Sequence, residues 1–188
     1  MRIDSFSAVT VSGLPGSGTS TLCSELRIRL EWEHLNTGDV FRQLAEQRGI
    51  SLAEFGRQAE TNAAIDTELD ERVIRVARMA NGIILEGRVA GWMAMRHDLP
   101  AYRVWVAAPQ EVRAERVAER EGKVLEVATE EMIVREGSEA SRYEALYKID
   151  IADVSIYHLV IDSGSHDPMD CADQVQTGMG SARHSHGS

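Results

Sequence analysis

The sequence lacks the many cysteines of secreted domains, the long apolar runs of membrane-spanning proteins and the net positive charge of nucleic-acid-binding proteins. Its two cysteines, Cys23 and Cys171, lie far apart in the chain and predict reduced thiols rather than a disulfide framework. No apolar run approaches the roughly 20 residues that cross a membrane. Because an apolar run already begins at Phe6, we expect no signal peptide and a cytoplasmic protein. The net charge of −10 argues against nucleic acid as a partner.

The composition favours one α/β domain, which we expect to be a monomer. A chain of 188 residues with 43% hydrophobic residues can bury a core, although aromatic residues make up only 5%. Apolar, β-branched runs alternate with helical patterns, and this alternation predicts parallel strands joined by helices. The runs are residues 6–11, 82–85, 103–107 and 157–161, with a weaker one at 33–36.

A glycine-rich segment, Gly13-Leu14-Pro15-Gly16-Ser17-Gly18-Thr19-Ser20, links the first apolar run to an amphipathic one. Its spacing matches the phosphate-binding P-loop, G-x-x-x-x-G-K-[ST], except that Thr19 occupies the lysine position. The glycines let backbone N–H groups converge on an anion, and Ser20 carries the hydroxyl that can ligate Mg²⁺. The loop predicts binding of a nucleoside triphosphate, with positive charge supplied from elsewhere. A plain tight turn is the alternative.

Three segments stand apart from the alternating strands and helices. Residues 38–80 are helical without a strong strand and predict a mobile lobe that holds a second substrate. Residues 113–142 are highly charged and predict a second lobe, hinged around Gly122. Residues 178–188 are low in complexity and predict a disordered tail, in which His184 and His186 are solvated rather than bound to metal.

Arginines are the candidates for the missing positive charge. Arg113, Arg116 and Arg120 share one face of a predicted helix, and the nearby glutamates occupy a different face. This segregation predicts an anion opposite the arginines, with a merely charged surface as the alternative. Arg135 and Arg142 are also two turns apart, but the glutamates around them make surface ion pairs an equal alternative.

Charged residues also follow two predicted strands. Arg88 comes directly after a strand, at the carboxyl end where α/β folds bind ligands, and a structural role for it is hard to see. Glu86, at the end of the same strand, is the expected acidic partner that holds Mg²⁺ through water. Arg42 lies one turn into the helix after the second strand, where a ligand role and an ion pair with Glu46 are equally supported.

Five segments together resemble the archaeal-type cytidylate kinases, within the nucleoside monophosphate kinase group. They are GLPGSGTST, NTGDVFRQLAEQRG, LEGRVAGW, RAERVAEREGK and IDIADVSIYHLVID, in order from Phe6 to Pro168. This family includes members with threonine at the P-loop lysine position. The resemblance implies ATP-dependent, Mg²⁺-assisted phosphorylation of CMP or dCMP. It also implies a three-layer P-loop fold whose parallel five-stranded sheet has the order 2-3-1-4-5.

The resemblance further implies a division of the chain and a role for each site residue. A single kinase domain, residues 1–177, would consist of a core (1–37, 81–112 and 150–177), a monophosphate-binding lobe (38–80) and a lid (113–149). The residues implied for ATP are Gly13, Leu14, Pro15, Gly16, Ser17, Gly18, Thr19, Ser20 and Thr21. Those implied for the acceptor are Asp39, Arg42, Asp66, Asp70 and Arg88. The catalytic residues would be Arg116, Arg120, Arg135 and Arg142, with Ser20 and water-bridged Glu86 at the metal.

The chain departs from the family pattern at two places. Lys148 stands where the family usually has glycine, which could alter a turn near the lid. His166 precedes Asp167-Pro168 where an aromatic residue is common, which could alter packing near the adenine. Neither departure removes a group with a predicted chemical role.

The identity of the acceptor remains open at this point. A carboxylate and an arginine together would read the edge of cytosine, and the alternative is ordinary helix-surface charge; the candidates are Arg57, Asp66, Asp70 and Arg72. The predicted acceptor arginines fit any phosphate monoester, so a kinase of another nucleoside monophosphate or small acceptor is an alternative. A non-catalytic nucleotide-binding module is the other, because a P-loop without its lysine can also mark lost chemistry.

Overall fold

Five parallel strands form the centre of the protein, whose computed structural model describes residues 6–185. The strands are β1 (Ala8–Gly13), β2 (Glu33–Asn36), β3 (Ile83–Glu86), β4 (Ala101–Ala107) and β5 (Leu159–Asp162). Their order in the sheet is β2-β3-β1-β4-β5, and all neighbouring pairs are parallel. The predicted strand order and α/β fold class are confirmed.

Helices cover both faces of this sheet. They are α1 (Thr19–Leu30), α2 (Thr37–Gln47), α3 (Leu52–Thr61), α4 (Ala63–Met79), α5 (Ala90–Arg96), α6 (Gln110–Glu121), α7 (Leu125–Tyr147) and α8 (Pro168–Ser185). One apolar core contains residues of α2, α3, α4 and α5, and a second contains residues of α1 and α8. The sheet contributes to both cores, which gives the expected three layers.

The burial of β1 and β3 explains why both appear as apolar runs in the sequence. All residues of the two strands are buried, as expected for parallel strands covered on both faces. The two strands are neighbours, and Val11 of β1 pairs with Glu86 of β3. β3 therefore ends one residue later than the predicted run, and its last residue lies beside the start of the P-loop.

Three capped helices fill the chain between β2 and β3, as the sequence predicted. The Asn36 side chain accepts a hydrogen bond from the Gly38 N–H at 2.8 Å and caps α2. Ser51 caps α3 and Asn62 caps α4 in the same way. Phe55 of α3 is fully buried, so these helices pack into the core on one side of the sheet.

Helices α6 and α7 form a helical hairpin after β4. Gly122 ends α6 with a left-handed backbone (φ 63°), at the position where a hinge was expected. The two helices enclose a small apolar cluster of their own: Ala114, Val117, Ala118, Ala128 and Met132. The predicted lid, residues 113–149, is therefore a helical pair whose contact includes this apolar cluster and the ion pair between Arg113 and Glu136.

The prediction of a disordered tail is wrong for residues 178–185, because α8 continues through them. Met179 is buried in the core that α8 shares with α1. Gly178 lies against the Tyr102 ring, where a Cβ would collide with the phenol oxygen. Gly178, one of the small residues that lower the sequence complexity, therefore lets the helix approach the sheet closely.

The end of the predicted tail, residues 186–188 with His186, lies outside the described residues. Within residues 6–185, no helix combines the length and the apolar character needed to cross a membrane.

Candidate active site

The P-loop connects β1 to α1 with its backbone open to an anion. Gly16 and Gly18 have left-handed backbones (φ 79° and 90°), which glycine adopts without strain. A Cβ at Gly13 would collide with Ser17 Oγ and with the Val106 carbonyl oxygen. Among the described residues no side chain caps α1, and its first turn contains no acidic residue. The free N–H groups and the helix dipole therefore favour a phosphate at this point.

Glu86 is the buried polar centre of the site, at the end of β3. Its Oε1 accepts hydrogen bonds from Thr19 Oγ1 (2.9 Å) and Ser20 Oγ (2.6 Å), and its Oε2 lies 3.0 Å from His34 Nε2. Burial alone would raise the pKa of Glu86. The hydrogen bonds from His34, Ser20 and Thr19 outweigh burial and hold this pKa below its usual value. Glu86 is therefore ionised at neutral pH.

Thr19 occupies the lysine position without supplying charge. Its side chain is buried, and its hydroxyl donates to Glu86. The residue therefore fixes the carboxylate beside Ser20, and the positive charge around the loop comes from arginines on other elements.

Arg88 joins the P-loop to α7. Its Nη1 donates to the Gly13 carbonyl oxygen at 3.1 Å, and its Nε donates to Glu139 Oε2 at 2.9 Å. The other carboxylate oxygen of Glu139 accepts from Arg135 Nε, also at 2.9 Å. One carboxylate thus bridges two of the arginines that the sequence assigned to phosphate binding.

Arg116 lies at the helical side of the P-loop. Its guanidinium donates to Ser163 Oγ at 3.0 Å and to the Ser163 carbonyl at 2.8 Å, and Nη1 lies 3.4 Å from the Gly16 carbonyl oxygen. Ser163 Oγ donates in turn to the Ser17 carbonyl at 2.6 Å. Arg116 is therefore held beside the loop by the segment that follows β5.

Arg113 does not face the cleft, although it shares a predicted helix face with Arg116. Its side chain is 7% exposed and forms an ion pair with Glu136. It also donates to the Pro15 carbonyl at 3.2 Å, and its own carbonyl packs so closely that a Cβ at Gly16 would collide with it. Arg113 supports the outer side of the P-loop, and the expectation that it faces an anion is wrong.

A cleft of about 710 Å³ opens above the P-loop and collects most of the predicted residues. Its loop side consists of Leu14, Pro15, Gly16, Gly18, Thr19, Ser20 and Thr21, with Glu86 beside them. Its other sides carry five arginines, Arg42, Arg88, Arg116, Arg120 and Arg135. Gly13 and Ser17 are buried behind the loop. Positive side chains from four separate parts of the chain therefore surround one space.

The arginines at the edge of the cleft are paired with exposed carboxylates. Arg42 forms an ion pair with Asp39, one turn earlier on α2, and the expected pair with Glu46 is not formed among the described contacts. Arg120 pairs with Glu121 at 2.8 Å. Pairs of this kind at a solvent-exposed edge contribute little to stability, so an incoming phosphate can replace the carboxylates.

Arg142, Asp66 and Asp70 lie deeper, between α7 and α4. Arg142 lines a second cavity of about 560 Å³, which shares Arg135 and Glu139 with the main cleft. It lies 4.0 Å from Asp66, which is 2% exposed, and Asp66 Oδ2 and Arg142 Nε have no hydrogen-bond partner among the described residues. Burial raises the pKa of Asp66, and it raises the pKa of Asp70 to about 6.

Among the site residues that sequence reasoning missed, His34 and Ser163 form hydrogen bonds with its central groups. His34 is a single histidine in a four-residue strand, where it pairs with Ile84, and its side-chain contact with Glu86 depends on the pairing of β2 with β3. Ser163 follows β5 and meets the P-loop only because β4 and β5 are adjacent in the sheet. No spacing pattern in the sequence points to either residue.

A smaller cavity of about 180 Å³ lies on the far side of Arg116. It is lined by Gly18, Thr21, Leu22, Val106, Arg116, Ser163, His166, Pro168 and Cys171. This cavity begins at the first turn of α1, so a group attached to a phosphate in the loop could extend into it. His166, one of the two departures from the family pattern, lines this cavity.

The fold is shared with small-molecule kinases of low sequence identity. A solved gluconokinase from Sinorhizobium meliloti superposes with a TM-score of 0.62 over 98% of this chain and 97% of that chain, at 11% identity. At that identity the likeness bears on the fold alone.

Sequence comparison is more specific. A cytidylate kinase from Methanococcoides burtonii is 45% identical over 168 residues, or 89% of this chain and 94% of the relative. A cytidylate kinase from Pyrococcus abyssi is 47% identical over 160 residues, or 85% and 86% of the two chains. The model of the cytidylate kinase-like family matches residues 8–165, which include both sides of the cleft and all the strands. The chain belongs to the cytidylate kinase-like family.

Proposed function

We propose that this protein transfers the γ-phosphoryl group of ATP to CMP or dCMP and releases ADP and the cytidine diphosphate. The observation that carries this proposal is the cleft, in which an open P-loop faces five arginines from four separate parts of the chain. Two polyanions must meet inside a protein whose net charge is −10, so local positive charge is the main requirement. The family membership points to a cytidine nucleotide as the acceptor.

The P-loop is the proposed site of the donor. Its residues, Gly13 to Thr21, would hold the phosphates through backbone N–H groups. The adenosine would extend past Arg116 into the 180 Å³ cavity, where His166 and Pro168 provide ring surfaces. Arg116 lies between the two spaces and can contact the phosphates while it remains attached to Ser163.

The donor set beside the loop fits Mg²⁺. Ser20 offers a hydroxyl and Glu86 offers an ionised carboxylate, and Mg²⁺ prefers such oxygen ligands together with water. A bound Mg²⁺ would neutralise charge that develops on the β- and γ-phosphates. His34 orients Glu86 and helps to keep it anionic, and Thr19 holds Oε1 toward Ser20.

Arginines would supply the charge that the P-loop lysine supplies in other kinases. We place Arg116, Arg120 and Arg135 around the transferring phosphoryl group, with Arg142 near the acceptor, and α6 and α7 as the elements that close over it. Arg42 and Arg88, with Asp39, would hold the acceptor phosphate. An oxygen of that phosphate is already an anionic nucleophile, so positioning and charge neutralisation provide most of the catalysis without a strong general base.

Base selection is assigned to Asp66 and Arg142. Both carry a buried polar atom without a partner among the described residues, which is a costly state unless a ligand satisfies it. A carboxylate can accept from the exocyclic amine of cytosine, and a guanidinium can donate to N3 or O2. Asp70 lies one turn further along α4 and would support Asp66. Arg57 and Arg72 are exposed and pair with Glu54 and with glutamines of α2, so they are helix-surface charge.

An acceptor panel tests the proposed function. The full chain with ATP and Mg²⁺ is assayed for ADP release with CMP, dCMP, UMP, AMP and GMP. We expect turnover with CMP or dCMP that exceeds turnover with the purine nucleotides. Turnover with another acceptor only would assign a different kinase on the same fold, and ATP binding without turnover on any acceptor would assign a nucleotide-binding module.

The location and the oligomeric state belong to the same proposal. Both cysteines are free and buried, which suits a reducing, cytoplasmic compartment that also supplies ATP. All predicted site residues come from one chain, so a monomer contains a complete cleft. Light scattering of the purified protein would check this expectation.

A further inference from the structure

Three metal-ligating side chains of different chemistry meet beneath the Mg²⁺ side of the cleft. Cys23 lies on α1, one turn after Ser20, His34 lies on β2, and Glu86 ends β3. One ligand atom of each lies within 4.8 Å of the other two. Cys23 and Glu86 are buried, and His34 is partly exposed. A thiol and an imidazole are poor ligands for Mg²⁺ and good ligands for Zn²⁺.

We propose that Cys23, His34 and Glu86 form a binding site for Zn²⁺, and that occupancy of this site suppresses the kinase. Tetrahedral zinc with bonds of about 2.0–2.3 Å requires ligand atoms about 3.3–3.6 Å apart. His34 Nε2 and Glu86 Oε2 are already 3.0 Å apart, and side-chain rotation of Cys23 can close the remaining gap. Three protein ligands leave a fourth position for water, which is common for Zn²⁺.

The charges of the three ligands balance a divalent ion. Without metal, burial and then the nearby Glu86 raise the pKa of Cys23 well above its usual value, so the thiol keeps its proton. Zinc binding replaces that proton, which passes to the solvent, and forms a zinc–thiolate bond. One thiolate, one carboxylate, a neutral imidazole and Zn²⁺ sum to zero charge, which suits a buried position.

Suppression follows from the other hydrogen bonds of Glu86, and this step rests on the proposed function. Glu86 also accepts from Thr19 and Ser20, the two hydroxyl groups at the start of α1. A carboxylate that ligates zinc is pulled toward Cys23 and His34, and it no longer holds the Ser20 hydroxyl in place for Mg²⁺. Excess Mg²⁺ does not displace zinc from a site that contains a thiolate, because Mg²⁺ binds thiolates weakly.

Cobalt spectroscopy tests the site without any measurement of turnover. Co²⁺ takes the place of Zn²⁺ and gives an intense sulfur-to-cobalt charge-transfer band in the near ultraviolet only when a thiolate is a ligand. We expect this band in the wild-type protein, its removal by added Zn²⁺, and its loss in Cys23→Ala. Cys171→Ala is the matched control, because Cys171 is also a buried, free thiol, and the band should persist there. Absence of the band in wild type, or its loss in Cys171→Ala instead, overturns the proposal.

A zinc titration of the kinase tests the suppression. At saturating Mg²⁺, ATP and CMP, we expect Zn²⁺ to inhibit wild type and Cys171→Ala at the same half-inhibitory concentration, with each rate expressed relative to the same variant without zinc, because Cys171 lines the cavity proposed for the adenosine. Loss of one thiolate ligand should raise the half-inhibitory concentration by more than about tenfold in Cys23→Ala, whose activity without zinc stays near that of wild type. Equal inhibition of wild type and Cys23→Ala would refute suppression through this site. Because the cobalt band is read without substrate, a failure of the proposed function leaves the binding test intact.

Discussion

Replacement of Arg135 by alanine tests whether this arginine contributes to turnover or to the stability of the fold. Arg135 lies on α7, lines both the main cleft and the adjoining cavity, and forms its one described ion pair with Glu139. Its side chain is 57% exposed. An exposed pair of this kind contributes about 0.2–1 kcal/mol to stability. Arg135→Ala should therefore fold normally and shift the melting temperature very little.

The expected effect on turnover is much larger. An arginine that stabilises the transferring phosphoryl group contributes about 10³–10⁵ in rate in related chemistry, or roughly 4–7 kcal/mol of barrier. Since several arginines share the charge here, we expect the lower end, a decrease in kcat of about a thousandfold. The assay is ADP release with CMP, with kcat and both KM values determined and with thermal unfolding measured on the same sample.

Arg48→Ala is the matched control for Arg135→Ala. Arg48 also forms an ion pair with a glutamate, Glu68, at a partly exposed position, but it lines none of the cavities described above. Its kcat should stay near that of wild type. A kcat for Arg135→Ala within about threefold of wild type, with the fold intact, would show that this arginine does not replace the missing lysine.

Three further predictions follow from α4 and α7. Asp66→Asn replaces a pure acceptor by an amide that can also donate, so the ratio of CMP to UMP turnover should fall by about tenfold; an unchanged ratio would remove Asp66 from base selection. Burial raises the folded-state pKa of Asp70 to about 6. The folded protein therefore binds this proton more tightly than the unfolded chain does. The free energy of unfolding should consequently fall as the pH rises from about 4 to 6. Urea unfolding of Asp70→Asn should lack the fall in stability that Asp70 causes, so the variant should be more stable than wild type at pH 7 and equally stable at pH 4. Free energies of unfolding that change with pH in parallel for the two proteins would contradict the raised pKa of Asp70. Lys148 ends α7 with a left-handed backbone (φ 54°). This conformation costs a non-glycine residue about 1–2 kcal/mol, a cost that glycine avoids. Glycine also loses more chain entropy on folding, which cancels about 0.5–1 kcal/mol of that gain. Lys148→Gly should therefore raise the free energy of unfolding by roughly 0.5–1 kcal/mol and the melting temperature by about 2–3 °C, and a decrease in either would show that the lysine side chain stabilises this turn.

The fold could be predicted from the sequence because its local signals agree with its global arrangement. β1 and β3 are buried on both faces, and their apolar runs appear directly in the sequence. The glycine spacing of the P-loop reflects collisions that a Cβ at Gly13 would cause. Lys148, noted as a departure from the family pattern, occupies the left-handed position at which glycine is favoured.

The parts that could not be predicted depend on contacts between distant segments. Arg113 and Arg116 have equivalent helical spacing, yet Arg113 is buried because the P-loop packs against its backbone. His34 reaches Glu86 only through the pairing of β2 with β3. The segment 178–185 resembles a flexible tail in composition, but it continues α8, with Gly178 against the Tyr102 ring and Met179 in the core.

The bridge formed by Glu139 bears on how the cleft would respond to ATP alone. While this carboxylate holds Arg88 and Arg135 together, it mimics the anion that an acceptor would bring. Under the proposed function, Arg135 would be kept from the donor until the acceptor displaces Glu139, so full positive charge at the γ-phosphate would require a second nucleotide. Water carries no charge and cannot displace the Glu139 carboxylate from the two arginines. Hydrolysis of ATP in the absence of an acceptor should therefore be slow.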